Sequence, residues 1–84
     1  MFTHVEEVEY LEEYLLRLKF NDGTVKDVNL EDELYGTVFE PLKNLSLFRQ
    51  VRVNPETNTI EWSNGADFAP EFLYELGHEL VTAY

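Results

Sequence analysis

Cysteine is absent from the 84-residue sequence, so disulfides, thiolate nucleophiles and sulfur-ligated zinc are all excluded. Basic residues are scarce: six Lys and Arg stand against 17 Asp and Glu, for a formal charge of −11. A potential of that sign repels phosphate backbones and anionic headgroups, which argues against direct binding to nucleic acid or membrane. Glycine and proline are few, four and three, and no tract of either marks a linker, so residues 1–84 are read as a single domain. No long apolar run spans a membrane, and the start Met-Phe-Thr-His-Val-Glu-Glu has no basic leader, which makes the cytoplasm the expected compartment.

Catalytic equipment is equally thin. The histidines are His4 and His78, and there is no glycine-rich phosphate loop or serine elbow. Carboxylates are abundant, but no spacing brings two of them into one pocket. The sequence is read as a non-enzyme that carries no cofactor. What it does contain is core-forming material: 44% hydrophobic residues, with six Phe, five Tyr and one Trp. That is enough apolar surface to fold without a metal or a cross-link. A chain of this size buries only about 60–65% of its extended-state surface, so single core truncations should weigh heavily.

The N-terminal segment carries two patterns. Val5, Val8, Leu11, Leu15 and Leu18 recur at helical spacing, with Thr3 and Glu6 in a capping-box relation. Against this, Tyr14, Leu16, Leu18 and Phe20 alternate with Leu15, Arg17 and Lys19 and run straight into Asn21-Asp22-Gly23. Asp-Gly supplies the positive φ that a tight hairpin needs, and Thr24 to Val28 forms the return strand. With Glu12-Glu13 as a polar turn, residues 3–10 are read as a strand.

Glu31-Asp32-Glu33 reads as a polar turn or a single helical turn. Pro41 opens a helix carrying Leu42, Leu45 and Phe48 at helical spacing. Val51 and Val53, then Ile60 and Trp62, flank the turn Asn54-Pro55-Glu56-Thr57-Asn58 as a second hairpin. Pro70 opens a last helix striped by Phe72, Leu73, Leu76, Leu80 and Val81 and interrupted at Gly77. The expected fold is α+β and two-layered: a small five-stranded sheet with helices on one face, in the order β-β-β-α-β-β-α. One local solution occurs twice, as Gly36-Thr37-Val38-Phe39-Glu40-Pro41 and Gly65-Ala66-Asp67-Phe68-Ala69-Pro70 share a G-x-x-F-x-P frame ahead of a helix.

Leu16 to Gly23, Phe39-Glu40-Pro41-Leu42 and above all Ile60 to Tyr74, with its W-x-N-G-x-D-x-x-P order, resemble the bacterial family known as domain of unknown function 2442. The resemblance spans nearly the whole chain. It implies a two-layer α+β fold, favours the strand reading of residues 3–10, and implies no known catalysis. Members look like small partners of candidate toxins, and some carry a DNA-binding helix-turn-helix after this domain. Here fourteen residues follow Pro70, so no such domain is expected.

The motif residues Gly23, Phe39, Pro41, Trp62, Asn64, Gly65, Asp67 and Pro70 are read as structural. Trp62 should bury its rings over the last helix with its N–H on an acceptor, Asn64-Gly65 should turn the chain, and Asp67 should cap the Pro70 helix. Glu75, His78 and Glu79, three and four apart, would share a helix face able to hold a divalent ion. Known Glu-x-x-His sites need a second such helix, however, so the plainer reading is a polar outer face and no metal.

These features point to a non-catalytic protein-interaction module whose partner is a basic protein encoded beside it, in the manner of an antitoxin or adaptor. Glu6, Glu7, Glu9, Glu12 and Glu13, with no cation before Arg17, form the expected steering surface. The same charges would equally protect an edge strand from aggregation. The alternative is a small-ligand or metal-binding domain using Glu75, His78 and Glu79 or a cleft near Trp62. A homodimer through an exposed sheet edge is a third reading.

Overall fold

The computed structural model describes residues 2–79. Strands β1 (Val5–Glu12), β2 (Leu15–Phe20) and β3 (Val25–Asn29) form an antiparallel meander. A 3-10 turn at Glu31–Glu33 follows, then a second at Glu40–Lys43 that leads into helix α1 (Leu45–Phe48). Strands β4 (Arg52–Asn54) and β5 (Thr59–Glu61) make a hairpin ahead of helix α2 (Pro70–Leu76), and β6 (His78–Glu79) pairs with β3. The first segment is a strand, and both hairpins fall where turn chemistry places them.

The α+β class agrees with the sequence and the order of elements roughly so, with β6 added after the last helix; the single five-stranded sheet does not agree. The described residues form two sheets, one ordered β1-β2-β3-β6 and one made of β4 and β5. The pairing of β1 with β2 shifts register between Val5 and Glu7 and again between Tyr10 and Glu12. Bulges of this kind bend a strand and disrupt its ladder, which works against adding another regular strand on that edge. The ribbon instead meets β1 through its turn, where the Val5 N–H donates to the Asn58 carbonyl at 2.9 Å.

Side-chain alternation sorts the main sheet into two faces. Val5, Leu16, Leu18, Phe20 and Val28 are buried and pack with Leu30, Leu34, Leu42, Phe48, Ile60, Trp62 and Leu73. The opposite face carries ion pairs, Lys19 to Glu7 at 3.5 Å and Arg17 to Asp27 at 2.8 Å. Among the described residues no helix is long and apolar enough to cross a membrane.

Both expected helices are shorter than their stripes. The first is split at Asn44, whose backbone is extended (ψ 112°) and whose side chain accepts from the Ser46 N–H while its own N–H donates to the Pro41 carbonyl. Asn satisfies the new helix start locally and so outcompetes continuation through it. The second ends at Leu76. Gly77 is extended at φ −73° and ψ 156°, and a Cβ placed there would lie 2.9 Å from both Lys26 Cβ and Val28 Cγ2. Glycine is what lets the chain cross β3 closely enough for His78 and Glu79 to join its edge. Leu80 and Val81 of the expected stripe lie outside the described residues.

Tyr74 clamps α2 to the Asn21-Asp22-Gly23 hairpin. Its hydroxyl donates to Asp22 Oδ2 at 2.7 Å, its ring meets Phe20 edge-on at 4.9 Å, and Lys26 Nζ sits 3.8 Å above the ring centroid while donating to the Tyr74 carbonyl. The Tyr74 hydroxyl, helped by the Thr24 N–H, holds the Asp22 carboxyl below its ordinary range. Arg17 does the same to Asp27, and Asn54 together with Arg52 does so to Glu61.

A carboxylate whose folded pKa is depressed stabilises the fold above its unfolded pKa, and that contribution disappears as pH falls through the folded value. Stability should therefore decline on acidification below the usual carboxylate range, and Asp22→Asn should flatten part of that decline in urea titrations at stepped pH. Gly77→Ala should cost about 1–3 kcal/mol in the same urea measurement at neutral pH, because backbone and β3 must separate to admit a methyl group.

Candidate functional site

The two G-x-x-F-x-P segments lie together. Gly36 and Gly65 both have φ near +91°, the left-handed region, and Pro41 and Pro70 both sit in a first helical turn. Asn64 ties the segments to each other: its Oδ1 accepts from the Ala66 N–H at 3.1 Å, while its Nδ2 donates to the Val38 carbonyl at 2.9 Å. The echo in the sequence becomes a contact in space, since the rings of Phe39 and Phe68 pack 4.7 Å apart at 30°.

From that pair a series of rings runs from core to surface. Trp62 is 1% exposed, its indole N–H donates to the Phe48 carbonyl at 2.7 Å, and its rings lie against Phe48 and Phe68 at 5.6 and 6.0 Å. Phe68 in turn stacks on Phe72 at 5.7 Å and 13°. Its backbone is held from beneath, where the buried Thr59 hydroxyl donates to the Phe68 carbonyl at 2.6 Å. At the surface these rings form one wall of a groove of about 330 Å³ lined by Glu33, Tyr35, Phe39, Asp67, Phe68, Ala69 and Phe72. Tyr35 is 70% exposed and Phe72 39%.

Several expected sites are placed differently. Trp62 finds its acceptor and a stacking partner on α1, at Phe48. Asp67 does not cap α2: the N-cap is Ala69, with no side-chain cap bond, and Asp67 pairs through its backbone with Glu61. That pairing leaves its exposed side chain at the groove. Glu75, His78 and Glu79 do not share a helix face, because α2 stops at Leu76. On β6, His78 is opposite Asp27 and Glu79 opposite Lys26, so their side chains point to opposite faces. Among the described residues no three His, Asp or Glu side chains gather in a way that could hold a metal.

The five N-terminal glutamates are all exposed but do not form one undivided surface. Glu7 and Glu9 lie opposite Lys19 and Arg17 across the open sheet face, whereas Glu13 sits at the hairpin turn with φ 46°. A shallow depression on β4 and β5, lined by Arg52, Asn54, Pro55, Glu56 and Glu61, is internally satisfied. Glu61 accepts from both Arg52 and Asn54 there, and the Glu56 N–H donates to Asn54 Oδ1 at 2.8 Å.

Pattern reading gives Glu33 to a polar turn, Val38 to the loop frame and Phe72 to the stripe of the last helix, and it assigns none of them, nor Tyr35, to a site. A signal was present in Tyr35-Gly36, an aromatic residue outside any periodic run. Asn64→Ala removes both bonds that hold the two loops in register. It should lower stability by about 1–2 kcal/mol in urea unfolding, with a changed tryptophan emission in the folded state.

Among curated proteins and among solved structures, none matches the chain. The model of the family described as protein of unknown function (DUF2442) matches residues 5–79, from the first residue of β1 to the last of β6. The match takes in both loops and every ring of the groove, and the chain belongs to the DUF2442 family.

Proposed function

We propose that the chain is a non-catalytic, cytoplasmic protein-interaction module, an antitoxin-like or adaptor partner of a basic protein. The observation that carries this reading is the use to which the motif residues are put. Phe39, Trp62, Asn64, Gly65 and Pro70 hold two loops together, and beside those loops the exposed rings of Tyr35 and Phe72 share one groove with the half-buried Phe39 and the buried Phe68. Exposed apolar patches of this kind mark interaction surfaces more often than they mark catalytic centres. The net charge of −11 adds a long-range preference for a cationic partner.

A small-ligand site near Trp62 is weaker on physical grounds. The indole is 1% exposed and its N–H is already donated, which leaves neither face nor edge to recognise a ligand. Affinity capture of the tagged protein from its native cell extract, at low and at high salt, tests the proposal. A stoichiometric basic protein that salt releases is the expected result. An empty eluate under both conditions would sink it.

A further inference from the structure

We infer that the groove between Tyr35, Phe39, Phe68 and Phe72 docks a basic segment of the partner protein, with one large apolar side chain laid on the rings and Lys or Arg against Glu33 and Asp67. The inference rests on the interaction-module reading and names the surface and the chemistry it selects. Two features of the groove choose its occupant together. Its walls are aromatic and partly wet: Phe68 is 9% exposed at the base, and Phe72 and Tyr35 are open at the rim. Removing that ring surface from water favours an aromatic or long aliphatic anchor.

Charge supplies the second feature. Glu33 and Asp67 line the groove, no cation does, and neither carboxylate is hydrogen-bonded within the described residues. An apolar or acidic segment seated there would strand two carboxylates away from water, a cost that a Lys or Arg removes by pairing with them. The acidic turn Glu31–Glu33 and Glu71, next to Phe72 in the first turn of α2, carry the same sign. The exposed ring of Tyr35 is also a face on which a cation can sit, as Lys26 already does on Tyr74 at 3.8 Å. A second copy of this chain is a poor occupant, since it would bring a charge of −11 to an acidic rim.

The probe is a synthetic hexapeptide, acetyl-Lys-Lys-Trp-Leu-Lys-Lys-amide, with two controls: one in which Ala replaces Trp and Leu, and one in which Gln replaces every Lys. Titration by calorimetry and by backbone-amide NMR should give saturable one-to-one binding, with shifts at Tyr35, Phe39, Phe68 and Phe72. Both controls should bind at least about tenfold more weakly, as should Phe72→Ala and the Glu33→Gln, Asp67→Asn pair against the parent peptide. Tyr35→Ala is the companion variant, because its 70% exposed side chain can be removed without opening the core.

Equal binding of the Trp-free peptide, shifts confined to Glu7, Glu9 and the open sheet face, or no saturable binding would each overturn the inference. So would a concentration-dependent dimer, seen by light scattering, that buries the groove. The two readings fail separately. A natural partner captured equally by wild type and by Phe72→Ala, Tyr35→Ala removes the groove and leaves the module reading standing, whereas an empty capture removes the module reading.

Discussion

The hydrogen bond from the Trp62 indole to the Phe48 carbonyl, 2.7 Å long and buried, joins the middle of the chain to its C-terminal third. It is a polar contact inside an aromatic cluster, where an unpaired carbonyl or N–H would lose its hydration with nothing in return. Apolar rings alone could slide against one another at little cost. With the indole fixed, Phe68 has a defined edge to pack on, and Phe39 and Phe72 take their places on its faces. Tyr14 and Tyr10 meet Phe48 edge-on from the sheet side at 5.3 and 6.2 Å, so the same cluster locks the loops onto β1 and the turn that follows it.

The groove therefore stands on a rigid base even though its rim is made of loops. Its other wall belongs to α2, which is pinned at both ends. Pro70 sets the entry, and Gly77 carries the exit across β3 at a separation no other residue could keep. Midway, the Tyr74 hydroxyl on Asp22 stops the helix from rolling about its axis. Rolling would be the cheapest way to turn Phe72 inward, since an exposed ring gains by burial. A short helix held at three points keeps that ring at the surface, and ordering cost on docking is correspondingly reduced.

Legibility followed the range of the interactions involved. Both hairpins were readable because Asp22-Gly23 and the Asn54 to Asn58 turn announce themselves within a few residues, and alternation in β2 names its buried face. The resemblance carried by Ile60 to Tyr74 is matched by the family relationship for the same reason: its information is contiguous. What local pattern could not hold was crowding from far along the chain. Gly77 looks like a flaw in a helix until Lys26 and Val28 are found against it, and the proposed Glu75, His78, Glu79 face existed only if that helix continued. Asp67 satisfied the local rule for a cap, but the backbone pairing of its own residue with Glu61 turned it elsewhere. Periodicity placed Phe72 on an apolar stripe, yet a stripe says which way a ring points and not whether anything lies over it. The repeated frame showed that two loops share a design; that their phenylalanines touch is a fact of three dimensions.

Charge and shape then have separable roles. Arg17, Lys19 and Arg52 are paired within the fold and Lys26 is held over Tyr74, and the acidic field seen from outside is set by the net charge of −11 that remains after them. That field reaches about 10 Å at 0.1 M salt and speeds encounter with anything basic, but it discriminates poorly among basic partners. The glutamates of β1 contribute to it collectively, and exposed pairs such as Glu7 with Lys19 add little to stability. Selection among cationic partners has to come from contacts that salt does not screen. In this molecule the rings that the motif residues hold in place supply such a surface, with Tyr35 and Phe72 open at its rim.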